Sequence, residues 1–82
     1  MKIDENYKKY NGNLEDLISD IDDVHDRYTL LVSDNGVCNI YEPDDIDTVH
    51  WEQLVRPVDR FCVKKEKKGV LVDVYLKERK CS

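Results

Sequence analysis

Eighty-two residues, 40% apolar and 38% charged, describe one small globular domain at the charged end of the usual range. No apolar run approaches the length of a membrane span, and the opening MKIDENYKKY lacks the apolar centre of a signal peptide. A cytoplasmic protein without membrane contact is therefore expected.

The net charge of −5 hides an asymmetry: residues 1–50 hold thirteen acids against four bases, while residues 51–82 hold five acids against nine bases. The first stretch is thus at −9 and the second at +4. Three cysteines, Cys38, Cys62 and Cys81, are an odd number without short spacing, which is no disulfide framework. Two are expected as small buried hydrophobes and Cys81 as a stray thiol near the end.

Residues 1–12 are polar, with Tyr7 and Tyr10 three apart, and read as a short turn packing its tyrosines on the body or as a frayed arm. Gly12 separates them from the stretch on which the chain is organised, NLEDLISDIDDVHDRY, residues 13–28. Leu14, Leu17, Ile18, Ile21, Val24 and Tyr28 recur at helical spacing and fall in one stripe that includes His25. Asn13 is suited to cap the helix. Glu15, Asp16, Asp20, Asp22, Asp23 and Asp26 lie on the opposite side. Glu15 and Asp16 suit the positive end of the helix dipole, whereas Asp22, Asp23 and Asp26 crowd the negative end. Asp16/Asp20 and Asp22/Asp26 are like-charge pairs four apart, each costing a few tenths of a kcal/mol, and only Arg27 relieves them. Helix stability alone would place lysines there.

Two β-rich runs, YTLLVS (28–33) and VCNIY (37–41), flank Asp34-Asn35-Gly36 and predict a hairpin. A three-residue loop with Gly36 in a bulge sets Val32 opposite Cys38 and Leu30 opposite Ile40, gathering four apolar residues on one face. That register is preferred over the two-residue loop, which sets Leu31 opposite Ile40. Pro43 ends the strand, and Asp44, Asp45 and Asp47 offer caps for a short helix to about Val55. Val49, Leu54, Val55 and Trp51 are expected to face inward. Pro57 stops it. Residues 61–64 and 70–77 form a second hairpin around a lysine-rich tip, with Val70, Val72, Val74 and Leu76 on its buried face.

The expected fold is α+β: an antiparallel sheet of about four strands (two hairpins) packed against one long N-terminal amphipathic helix, with a short second helix between the hairpins. Residues 1–82 form a single domain, with 1–12 and 78–82 as ends that can fray.

No catalytic motif emerges. The two histidines and three cysteines lack zinc-ligand spacing. Asp22, His25 and Asp26 form half of a carboxylate–histidine site that no second helix completes. The run Asp44-Asp45-Ile46-Asp47 lacks the glycine and distal glutamate of a calcium loop. Cys62 lies in an apolar strand, where an inert thiol is expected, and no glycine-rich phosphate loop exists. No catalytic residue, metal or cofactor is expected.

The reading is a small acidic, non-catalytic protein-binding module. Glu15, Asp16, Asp20, Asp22, Asp23 and Asp26 would dock on a basic protein surface, the kind cells most often build for nucleic acid. Inhibitors of restriction or CRISPR enzymes made by phages act so, an analogy of size and charge alone. Direct nucleic-acid binding is not expected as the primary role, although Lys64, Lys65, Lys67 and Lys68 form a secondary basic patch. Two alternatives stand beside it. One is an oligomeric sponge for a signalling nucleotide, with Arg56, Arg60 and the lysine tip on phosphate; the other is an assembly component. A homodimer is compatible with each.

Overall fold

The computed structural model describes residues 7–67 and 69–78. Expectations for residues 1–6, Lys68, Cys81 and the rest of the tail lie outside the described residues. The elements run β1 (Lys8–Lys9), α1 (Leu14–Val24), β2 (Thr29–Asp34), β3 (Val37–Tyr41), a 3₁₀ helix (Pro43–Thr48), α2 (Trp51–Leu54), β4 (Val58–Glu66) and β5 (Gly69–Leu76). The class is α+β, with one mixed five-stranded sheet in the order β1-β4-β5-β2-β3.

Capping fixes where α1 starts. The Asn13 side chain accepts from the Asp16 N–H at 2.8 Å, and the Asp16 carboxylate accepts from the Asn13 N–H at 3.4 Å, which satisfies two first-turn donors at once. Leu14, Leu17 and Ile21 are buried against the sheet, with Ile18 packed at their margin. The helix ends sooner than its apolar stripe. Its last turn holds no base, His25 is already extended, and Val24 is 73% exposed rather than inward. Aspartates at the negative end weaken that turn. Tyr28 is buried all the same, at the entrance to β2.

The first hairpin takes the tighter register. Asp34 pairs with Val37, Leu31 with Ile40 and Ser33 with Cys38, across a two-residue turn. Asn35 (φ 52°) and Gly36 (φ 87°) both sit in the left-handed region, as a type I′ turn requires. The three-residue loop is thereby overturned. Asn tolerates the left-handed conformation, so no bulge is needed. Counting apolar residues on one face misled, because Cys38 and Ile40 belong to the face opposite Leu30 and Val32 and are exposed. An added Cβ at Gly36 meets no atom within 4 Å, so only the backbone resists substitution. Gly36→Val is expected to cost about 1–2 kcal/mol; an unchanged thermal midpoint would contradict the turn.

The two hairpins join in parallel, which corrects the all-antiparallel sheet. β4 pairs β5 antiparallel, but β5 pairs β2 parallel, with Leu30 beside Val72 and Val32 beside Val74. Short turns force antiparallel pairing only within a hairpin. The segment between β3 and β4 is long enough to cross the sheet and set β5 beside β2. Leu30, Val32, Val58, Val72 and Val74 are fully buried at the centre of the core. β1 adds a fifth strand, pairing Lys8 with Phe61 and Lys9 with Arg60. Tyr10 meets Phe61 edge-on at 5.8 Å, and Tyr7 meets Tyr75 in the same manner at 5.6 Å. The expected packing of these tyrosines is thus a strand rather than a turn.

The crossing segment differs from the expected single helix. Glu42 precedes the 3₁₀ helix without a side-chain cap, so Asp44, Asp45 and Asp47 do not serve as N-caps. The His50 ring accepts from the Glu52 N–H at 3.2 Å and starts α2, a single turn. One turn cannot turn every apolar residue inward: Val49 is buried and Leu54 packs on the core, but Trp51 and Val55 are 64% and 54% exposed. Arg56 fastens the crossing to the sheet. Its guanidinium donates to the Asp34 carboxylate at 2.8 Å and to the Lys77 carbonyl at 2.7 Å, while its carbonyl accepts from the Leu14 N–H at 2.9 Å.

Candidate protein-docking surface

Of the six acids singled out, five lie on α1, while Asp26, expected on the same helix, follows its extended C-cap His25; by their bonds the six divide into two groups. Asp16 belongs to the capping box. Asp20 accepts from the Tyr10 hydroxyl at 2.6 Å, and Asp22 from the Tyr28 hydroxyl at 2.7 Å. These bonds pin the helix to β1 and to the start of β2, so three of the six have structural work. Glu15, Asp23 and Asp26 are exposed and make no hydrogen bond or ion pair with the described residues. Glu15 and Asp23 are eight residues apart, about 12 Å along the helix axis. Val24 adds an exposed apolar side chain next to Asp23.

The acid–tyrosine bonds leave a mark on titration. The Tyr10 hydroxyl is pushed up from 10.0 to about 12, chiefly by its bond to Asp20, with burial and the charges of Asp20 and Asp16 adding. Burial and then Asp22 raise Tyr28 further still. A raised value in the fold means these bonds support folding fully below about pH 10 and lose that support as pH climbs through the folded values. Tyr10 and Tyr28 are expected to ionise late in an alkaline absorbance titration of the folded chain. Tyr10 and Tyr28 titrating near the ordinary value would remove the two bonds.

One contribution escaped the sequence reading. The 3₁₀ helix brings Asp47 within electrostatic reach of Tyr28, and Asp22, Asp26 and Asp47 share a shallow cavity of about 170 Å³. Asp44 lies beside Arg27 at 3.6 Å, both exposed. Arg27 is thus matched by a further acid. Distance along the chain concealed this; the signal was the acidic run at 44–47 itself, which capping had been expected to absorb.

The basic residues occupy other elements. Lys64, Lys65 and Lys67 are exposed on β4 and just beyond it, and Lys8 and Lys9 are exposed on β1. Lys64 lies 3.8 Å from Asp73, a buried carboxylate that also accepts from the Tyr7 hydroxyl. Arg60 stacks over Tyr75 at 4.1 Å and pairs with Asp59 at 2.7 Å. A cavity of about 550 Å³ lies beside Arg60 and Lys77, but Asp59 and Glu78 line it too. Arg56 is not available to a phosphate, because it is buried against Asp34.

The cysteines divide against expectation, with Cys62 buried but Cys38 exposed. Among the described residues, no three of His, Cys, Asp and Glu are grouped to hold a metal, and no helix is long and apolar enough to cross a membrane. Comparison with known proteins gives no match to a family model, a curated protein or a solved structure.

Proposed function

We propose that the chain is a non-catalytic protein-binding module whose acidic surface, formed by α1 and the neighbouring 3₁₀ helix, docks on a basic protein surface built for nucleic acid. The observation that carries this reading is the set Glu15, Asp23 and Asp26: exposed carboxylates that no described residue pairs. Asp23 stands in the last turn of α1, where the dipole opposes it and the turn offers no base. A charge that costs the fold something and gains nothing within it is suited to a partner. Spaced carboxylates on a helix (Glu15, Asp23) and just beyond its end (Asp26) resemble a row of phosphates in charge, so the partner is a nucleic-acid-handling protein, held at its binding groove and blocked by occupation. The cell compartment follows that of such a partner, the cytoplasm.

The nucleotide-sponge alternative is less well supplied. Of its three phosphate contacts Arg56 is consumed internally, and the cavity beside Arg60 balances its bases with acids. The test of the preferred reading is release by competitor. A protein captured by the immobilised chain is expected to elute with duplex DNA at constant ionic strength; retention at saturating DNA would mean that the chain binds elsewhere on its partner.

A further inference from the structure

The two edges of the sheet are not alike. The β1 edge is two residues long and carries exposed Lys8 and Lys9, a charged and brief edge of the kind that resists further pairing. The β3 edge has five residues, Val37–Tyr41, with no charge, no proline and no bulge. In a chain that is 38% charged such an edge stands out, since native edges are ordinarily guarded. The turn geometry says which groups it offers. Asp34 and Val37 close the two-residue turn, so Val37, Asn39 and Tyr41 direct their backbone groups to β2. Cys38 and Ile40 then direct theirs away from the sheet, and their exposed side chains stand on the face opposite the core.

We infer that β3 pairs with β3 of a second copy, antiparallel about a two-fold axis through Asn39, to make one continuous ten-stranded sheet. A two-fold there sets Cys38 of one copy opposite Ile40 of the other, twice, which uses all four outward backbone groups in reciprocal bonds. Electrostatics permit a second copy despite the net charge. The same axis sets Glu42 opposite Gly36 rather than an acid, and Asp34 is neutralised by Arg56 within its own chain. The occupant is a copy rather than a foreign strand because the edge is complementary to itself in this register, in backbone groups and in uncharged side chains alike. The 3₁₀ helix contacts β2 and β3 alike, with Ile46 against the core, and among the described residues no strand pairs with the outer side of β3. The axis is perpendicular to the sheet, so both α1 helices lie on one face. The inference does not depend on what those helices bind.

The interface is small, and the dimer is expected to dissociate on dilution in about the micromolar range. Sedimentation of the full chain across a dilution series is expected to show a species of twice 9.7 kDa at the concentrated end. Ile40→Lys, at a site already 64% exposed, is expected to keep the thermal midpoint and leave only monomer. Register has its own test. Asn39 faces its copy as a non-bonded pair with Cα atoms about 4.5 Å apart, within reach of a disulfide. Asn39→Cys, with Cys38 and Cys81 changed to serine, is expected to cross-link under mild oxidation. A wild type that stays monomeric above ~100 μM, a dimer indifferent to Ile40→Lys, or cross-linking through native Cys38 in place of Asn39→Cys would each overturn the inference.

Discussion

Arg56→Ala is expected to lower the unfolding free energy by about 3–5 kcal/mol, a large share of the ~5–15 kcal/mol typical of a small domain. The side chains of Arg56 and Asp34 are only 9% and 20% exposed, and their contact at 2.8 Å is direct. Truncation leaves the partly buried Asp34 carboxylate without its guanidinium, with the Gln53 amide at 3.5 Å as a weaker partner. It also removes the bond from Arg56 to the Lys77 carbonyl at the end of β5. Arg56→Lys should fall between, because an ammonium cannot reproduce both forks of the guanidinium. Removing both charges together, as Arg56→Met with Asp34→Leu, should recover much of the loss, since a buried pair costs more to halve than to replace. Urea denaturation of the set reads these differences directly. Equal midpoints for wild type and Arg56→Ala would mean that the pair is solvated. The effect reaches the docking surface as well, because the Arg56 carbonyl receives the Leu14 N–H and fixes where α1 begins.

What could be read from the residues was what rests on local chemistry. Asn13 announced its cap, the 14-17-21 spacing its buried stripe, and Val72, Val74 and Leu76 the inward face of β5, all of which hold. What could not be read depends on contacts between distant residues. Nothing local to Leu30 says that Val72 lies beside it in parallel, and nothing local to Arg56 says that Asp34 neutralises it. The hairpin register failed for a more specific reason: the expectation weighed apolar burial, while Asn35-Gly36 fitted the tighter turn without regard to Ile40, which stays exposed. Five of the six acids lie on exposed positions of α1, but Asp26 falls beyond its end, and the sequence alone could not separate those that accept from Tyr10 and Tyr28 from those that have no such bond.

That separation leads to the second large effect. Changing Glu15, Asp23 and Asp26 together to lysine is expected to leave stability within about 0.5 kcal/mol. Lysine at 15 forfeits a favourable dipole contact, while lysine at 23 gains one and is the better helix former. None of the three changes touches the capping box or the two tyrosine bonds. Binding to a basic partner should nonetheless weaken by about 100-fold or more, as attraction becomes repulsion across an interface. The wild-type interaction should also fall steeply with salt, because exposed charges are screened over about 8 Å at physiological ionic strength. Stability and binding would then part company, which an ordinary solvated helix face has no reason to show. The decisive measurement is a quantitative pull-down with wild type and the triple variant side by side, at low and at high salt, with both proteins first shown to melt alike. Nucleic-acid-handling proteins held by the wild type at low salt, released at high salt and absent from the variant are the predicted result. The same proteins held by both chains at both salt levels would contradict the acidic surface as the place of docking.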